Sequence, residues 1–155
     1  TDQAHLSLSE QIKAHSCERV YQAVVYGRMK EGEGRVDAPI GRNPMERKEM
    51  CVIAKNSKEA VTNYRVLQEY EGFSHLELRL ETGRTHQIRV HMAYLGHPVA
   101  GDPVYGPKKV IKSLEGQCLH AKSIAFNHPV TGERMRFDSE LPSYFTDFLR
   151  TLRPL

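Results

Sequence analysis

No run approaching the ~18 consecutive apolar residues of a membrane-spanning helix occurs in this chain, and no charged start followed by an apolar stretch marks a secretory signal. The sequence reads as soluble and intracellular. Cysteine is scarce: Cys17, Cys51 and Cys118 are odd in number and widely spaced. That excludes a disulfide framework or a C-x-x-C metal site and leaves three reduced thiols. Strong charge of one sign is missing too. Lys plus Arg number 22 against 19 Asp plus Glu, a formal net charge of +3 that eight histidines can raise below neutral pH. The chain is basic, but mildly so. Repeats and low-complexity segments are also absent. With 39% hydrophobic and 26% charged residues the composition is not that of a disordered chain, and 155 residues fit one domain with a real core. The first residue is Thr1 rather than Met, which suggests a processed start or part of a longer chain.

Periodicity supplies the elements. Leu8, Ile12 and Leu6 are spaced for one face of a helix from Asp2 to about His15. Val20 to Tyr26 reads as a buried strand closed by Gly27, and the glycine- and proline-bearing segment Lys30 to Asn43 as a hairpin or extended loop. Strands are expected at Met50 to Ala54, Ala60 to Tyr70 and His75 to Glu81, where leucines alternate with charged residues. Thr85 is placed to cap a helix running to Leu95 and stopped by Gly96, with a turn at Gly101 to Gly106. Strands at Leu119 to Phe126 and Arg134 to Phe137 flank the turn His128 to Glu133, and Tyr144 to Leu152 forms a closing helix. Strand signals outnumber helix signals without βαβ alternation, which predicts an α+β fold with a mostly antiparallel sheet and flanking helices.

The densest cluster of reactive side chains is E-T-G-R-T-H-Q-I-R-V-H from Glu81 to His91, running on through His97 to G-D-P-V-Y-G. It joins a strand end to a helix start, where free backbone N–H groups together with Arg84 and Arg89 suit an anion. The plainer reading makes both arginines solvated surface charges. His86, His91 and His97 invite a zinc site, but their spacings of five and six do not match an H-E-x-x-H pair. Histidines hydrogen-bonded to the backbone or to Asp102 are expected instead. The three cysteines lack a context that would activate them. Tyr21, Tyr26, Tyr64, Tyr70 and Tyr105 each read, taken singly, as core aromatics with a satisfied hydroxyl. The aspartates are scattered, and Asp102, lying between glycines, is the most interesting of them.

These motifs together resemble the RluA-type RNA pseudouridine synthases, particularly the RluD-like ribosomal branch. L-E-T-G-R-T-H-Q-I-R-V-H-M-A from Leu80 and G-H-P-V-A-G-D-P-V-Y-G from Gly96 carry the likeness. Y-Q-A-V-V-Y-G at Tyr21, A-P-I-G-R-N-P at Ala38, A-V-T-N-Y-R-V-L at Ala60 and L-H-A-K-S-I-A-F-N-H-P-V-T-G-E at Leu119 follow in order. The resemblance spans essentially the whole chain. It implies a mixed, largely antiparallel sheet with flanking helices, and uridine-to-pseudouridine isomerisation in structured, ribosomal RNA, without metal or organic cofactor. By motif position, Tyr21 matches the tyrosine that stacks on the flipped-out uracil. Arg89 matches the arginine that pairs with a nucleophilic aspartate and keeps it ionised. Arg84, His86, Arg42, Arg47, Lys108 and Lys109 are the candidate RNA contacts, the cations meeting phosphates. A cytoplasmic location follows from the same likeness.

The chain departs from the family in the chemistry itself. The nucleophilic aspartate belongs to an R-L-D run followed by T-S-G, and neither string occurs in these residues. By position Asp2 falls just after that segment, and no other aspartate has the right neighbours. The expectation is the C-terminal portion of a catalytic domain, residues 1–155 as a single domain, inactive alone and lacking the family's upstream strands and any accessory S4-like domain. The alternative is a non-catalytic RNA-binding module with the same fold, and a histidine zinc hydrolase is a third reading.

Overall fold

The computed structural model describes residues 1–14, 16–109 and 111–155. In chain order the elements are α1 (Asp2–Lys13), β1 (Glu18–Tyr26), β2 (Glu33–Asp37), β3 (Ile40–Arg42), β4 (Met50–Val52), β5 (Ser57–Lys58), β6 (Val61–Tyr70) and β7 (Phe73–Leu80). They continue with α2 (Gln87–Tyr94), β8 (Leu119–Asn127), β9 (Arg134–Asp138) and α3 (Ser143–Thr151). The alternation read in the sequence is the pleat of β7, which places Leu76 and Leu78 on one face at 0% exposure and Glu77 and Arg79 on the other. Six strands run β2-β6-β7-β1-β8-β9, and three short ones form a second sheet, β4-β3-β5. Every pairing between the described strands is antiparallel. The fold is α+β.

Two helices cover opposite faces of β1 and β7. On one side Ala23, Val25, Leu76 and Leu78 lie under Ile88 and Met92 of α2, with Tyr21 and Leu80 packed at the margin. On the other, Val24 lies under Phe145 and Phe148 of α3, beside Cys118, whose thiol burial pushes up to about 12. Each such large apolar side chain contributes about 1.5–3 kcal/mol on burial. A third cluster, Ile40, Ala60 and Val90 with Met50, Val52 and Tyr105, ties the small sheet to α2. This places the small sheet and the turn after α2 around one end of that helix. Among the described residues no helix is long and apolar enough to cross a membrane.

Two expectations need correction, and a third element, the first helix, forms as expected but is held by polar contacts. The segment Lys30 to Asn43 is neither a hairpin nor a loop: β2 joins β6 and β3 joins β4 and β5. Pro39, between the two strands, has no N–H for a ladder, and the Ala38 amide goes to Ala60 O. The arginine-bearing helix starts at Gln87, two residues after Thr85. Its N-cap is His86, with φ +56° and no side-chain cap. Finally, α1 buries none of its residues, and Leu6 is 60% exposed. A polar clasp holds it instead: Gln11 Nε2 donates to Asn127 O and Asn127 N donates to Gln11 Oε1, each at 2.7 Å. Thr1 Oγ1 caps its start by accepting from Ala4 N. His15, the expected end of this helix, lies outside the described residues.

Candidate active site

A buried hydrogen-bond chain, rather than a side-chain cap, fixes the start of α2. Gln87, 2% exposed, uses both ends of its amide. Its Oε1 accepts from Thr82 Oγ1 and Arg84 N, and its Nε2 donates to Val61 O and Thr62 Oγ1. Thr82 Oγ1 in turn accepts from Val61 N at 2.9 Å, closing a ring between β6 and the loop before the helix. The chain continues into the helix. Thr62 Oγ1 meets His91 Nδ1 at 2.8 Å, and His91 Nε2 meets Ala38 O at 2.9 Å. A carbonyl only accepts, so Nε2 carries the proton and Nδ1 accepts from the threonine. Burial lowers the His91 pKa and keeps this neutral tautomer.

Two residues into the helix, Arg89 lies in a bidentate pair with Asp102, Nε to Oδ2 at 2.8 Å and Nη2 to Oδ1 at 2.9 Å. The side chains are 10% and 0% exposed. Asp102 Oδ1 also accepts from the Val104 and Tyr105 amides, so it caps the turn that follows it. Burial alone would raise the Asp102 pKa, but the hydrogen bonds from Arg89 and those two amides, with the arginine's charge, outweigh it and hold the carboxyl below its usual value. Gly101, at φ +77°, sets the direction of this turn, and a side chain there would collide with Gly116 O. Tyr105 completes the corner. Its ring faces the Arg89 guanidinium at 5.1 Å, its hydroxyl accepts from Met50 N, and His86 Nδ1 lies 2.8 Å from the same oxygen. Burial and the nearby Arg89 lower the His86 pKa. Arg89 Nη1 has no hydrogen-bond partner among the described residues and is not sealed from solvent. The corner therefore presents a permanently ionised donor, fixed on one side by Asp102 and open on the other.

Tyr21 stands elsewhere on the same side of the large sheet. It pairs with Leu78 of β7 and Ala121 of β8, is half-buried, and borders a cavity of about 310 Å³ shared with Arg19, Ile124, Phe137 and Ser139. Arg89 does not line this cavity. Of the other predicted residues, Arg84 donates through Nε to Glu59 O at 2.7 Å. Arg42 is exposed at the end of β3 with Nη1 on Arg47 O, and Arg47 is exposed in the following loop. Lys108 and Lys109 are exposed and border a cavity of about 230 Å³ beside Asp102. The structure thus gathers Arg89, His86, Lys108 and Lys109 around the turn after α2, with Arg42 close by through the β3–β4 pairing. Tyr21 lies apart.

The histidines bond as expected to backbone at His91 and at His97, whose Nδ1 meets Tyr26 O; among the described residues none bonds to Asp102, whose oxygens accept from Arg89 and the Val104 and Tyr105 amides. Among the described residues no group of three or more His, Cys, Asp or Glu is gathered to hold a metal ion. Reading residues singly missed Tyr105 as a partner of Arg89 and Gln87 as the organiser of the helix start. A glutamine directly before a buried helical face was the available signal for the second.

Comparison with known proteins gives the family. The family model described as RNA pseudouridylate synthase matches residues 1–94, and the chain belongs to that family. It is 47% identical over 98% of its length to an uncharacterized RNA pseudouridine synthase, YlyB, of Bacillus subtilis, covering 50% of that protein. It is 42% identical over 99% of its length to the ribosomal large subunit pseudouridine synthase D of Pseudomonas aeruginosa, covering 51% of it. The chain spans about half the length of the curated relatives it matches. Among solved structures, human RNA pseudouridylate synthase domain containing 1 superposes with a TM-score of 0.79 at 29% identity, over 96% of this chain and 64% of that one.

Proposed function

We propose that this chain carries the base-stacking tyrosine and the carboxylate-orienting arginine of an enzyme that isomerises uridine to pseudouridine in structured RNA, ribosomal RNA above all. The observation that carries this reading is Arg89: a buried guanidinium held by Asp102 with one nitrogen left open, on a helix inside the matched segment. Such a group keeps a second carboxylate ionised at neutral pH, as a nucleophile requires. Tyr21 offers a ring at a cavity of about 310 Å³, room for one extruded base. The reaction detaches uracil from its ribose, turns it and rejoins it through carbon. That is an internal rearrangement, so no group is gained or lost and no cofactor is needed. The name of the Pseudomonas relative supports ribosomal RNA, and a cytoplasmic location belongs to the same reading. Arg42, Arg47, Arg84, Lys108 and Lys109 serve as phosphate contacts, where a point charge is sufficient.

Asp102 is not the nucleophile. It is fully buried, and both its oxygens are engaged. With no R-L-D run among its residues, the chain by itself is expected not to turn over. A tritium-release assay with 5-tritiated uridine RNA tests this, and release at enzymatic rates by this chain overturns it. The second reading, an RNA-binding module without catalysis, is favoured by the same engaged carboxylate. It predicts salt-sensitive RNA binding with no release even when an R-L-D-bearing segment is supplied in trans.

A further inference from the structure

Arg19 sits two residues before Tyr21 on β1, opposite Ile124 of β8, and lines the same cavity. Its guanidinium is poorly satisfied. Nε is sealed from solvent without a hydrogen-bond partner, the one such side-chain atom among the described residues. Nη2 makes a single long contact, 3.5 Å to Leu80 O. Arg19 has no ion pair among the described residues, whereas the other two charged residues lining the cavity, Lys122 and Asp138, bind one another, with Arg136 on the second Asp138 oxygen at 3.1 Å. A buried donor left unmatched is costly, and native proteins rarely keep one without a use.

Gly83 points the same way. Its backbone is not left-handed, so conformation does not require glycine there, but a methyl group added at Gly83 would overlap Arg19 Nη1. What Gly83 supplies is room at the end of the guanidinium, beside the loop that leads to α2. With Nε packed in place and Nη2 on Leu80 O, Nη1 lies beside Gly83 without a hydrogen-bond partner among the described residues and is not sealed from solvent.

We propose that Arg19 is the phosphate anchor of the Tyr21 cavity, taking a non-bridging phosphodiester oxygen of the nucleotide whose base lies against Tyr21. The inference rests on the RNA reading above and adds a residue to it. Arginine suits the task because its planar fork holds two N–H groups toward one phosphate.

The test uses this chain and a hairpin RNA with uridines in its loop, with affinity measured by fluorescence anisotropy across a salt series. Arg19→Met is expected to weaken binding roughly tenfold at low salt and to lower the slope of log K against log salt by about 0.7–0.9, one phosphate's share. Gly83→Ala keeps the charge but displaces Nη1, and should reproduce the lost slope with an unchanged melting temperature. In the unaltered chain, the Arg19 Nε–Hε NMR signal should shift on adding the RNA. Weakened binding with an unchanged slope, or an unmoved Nε–Hε signal in an RNA-bound chain, overturns the anchor while leaving the RNA reading intact. No binding to the hairpin at low salt overturns both. Should Arg19→Met fail to fold, Gly83→Ala and the NMR signal still decide.

Discussion

Arg89 and Arg19 are two arginines treated in opposite ways by one fold. Arg89 is 8% exposed, and its charge is met by a bidentate carboxylate that is itself fully buried. Arg19 is half-buried with one sealed nitrogen and a single long contact. In the first arrangement each desolvated charge finds its counterpart inside the chain, and a single nitrogen, Arg89 Nη1, is left open. The second has no carboxylate partner among the described residues and leaves most of its donors over. The contrast teaches that burial of an arginine does not itself mark a structural or a binding role, whereas the account of its acceptors does.

The largest expected effect comes from breaking the satisfied side. Asp102→Ala strands a buried guanidinium and uncaps the turn, and should lower stability in urea denaturation by about 3–5 kcal/mol. Because the Asp102 pKa is depressed in the fold, its contribution is fully present above the unfolded carboxyl value near ~3.9 and is lost only as pH falls through the lower folded value. The pair should therefore survive mild acid. Gln87→Ala removes the amide that joins β6 to the helix start, at a cost of about 1–3 kcal/mol. Hydrogen exchange at the Arg84 amide should speed up with it.

Mild acid should act on the other face of the sheet. Burial against α3 pushes His75 down to about 4, while an unfolded histidine titrates near ~6.5. Its neutral form, bonded to Gln22 Oε1, adds stability that is complete above ~6.5 and declines as pH falls from there toward about 4. Denaturation at pH 7 and pH 5 should show the decline, and His75→Gln should reduce it, leaving the share of His91 and His86, whose pKa values are also lowered. The smallest effect is expected at Arg150→Ala. Its ion pair with Asp147 joins side chains 76% and 62% exposed, and removing it should change stability by less than about 0.5 kcal/mol.

The antiparallel α+β architecture was legible because β7 alternates leucine with charge along its length, and a half-buried strand must show that period. The division of residues 30–43 between two sheets was not legible. Short strands such as β3 and β5 carry too few residues to show a period, and partners distant in sequence choose their sheet. At the candidate site the motifs singled out Tyr21 and Arg89 by type and order. They could not show that Tyr21 borders a cavity with Arg19, nor that Tyr105 stacks beside Arg89.

By itself, then, the sequence determined the family, the alternating strands and the residue types available for chemistry, since these rest on local order and short-range period. Which charges meet was decided only in the tertiary structure. Asp102 reaches Arg89 across a turn shaped by Gly101, and Arg19 is left short of acceptors by neighbours on β7, β8 and the Gly83 loop. Hydrogen bonds and ion pairs act over a few ångströms in space, and the chain brings those partners together only by folding.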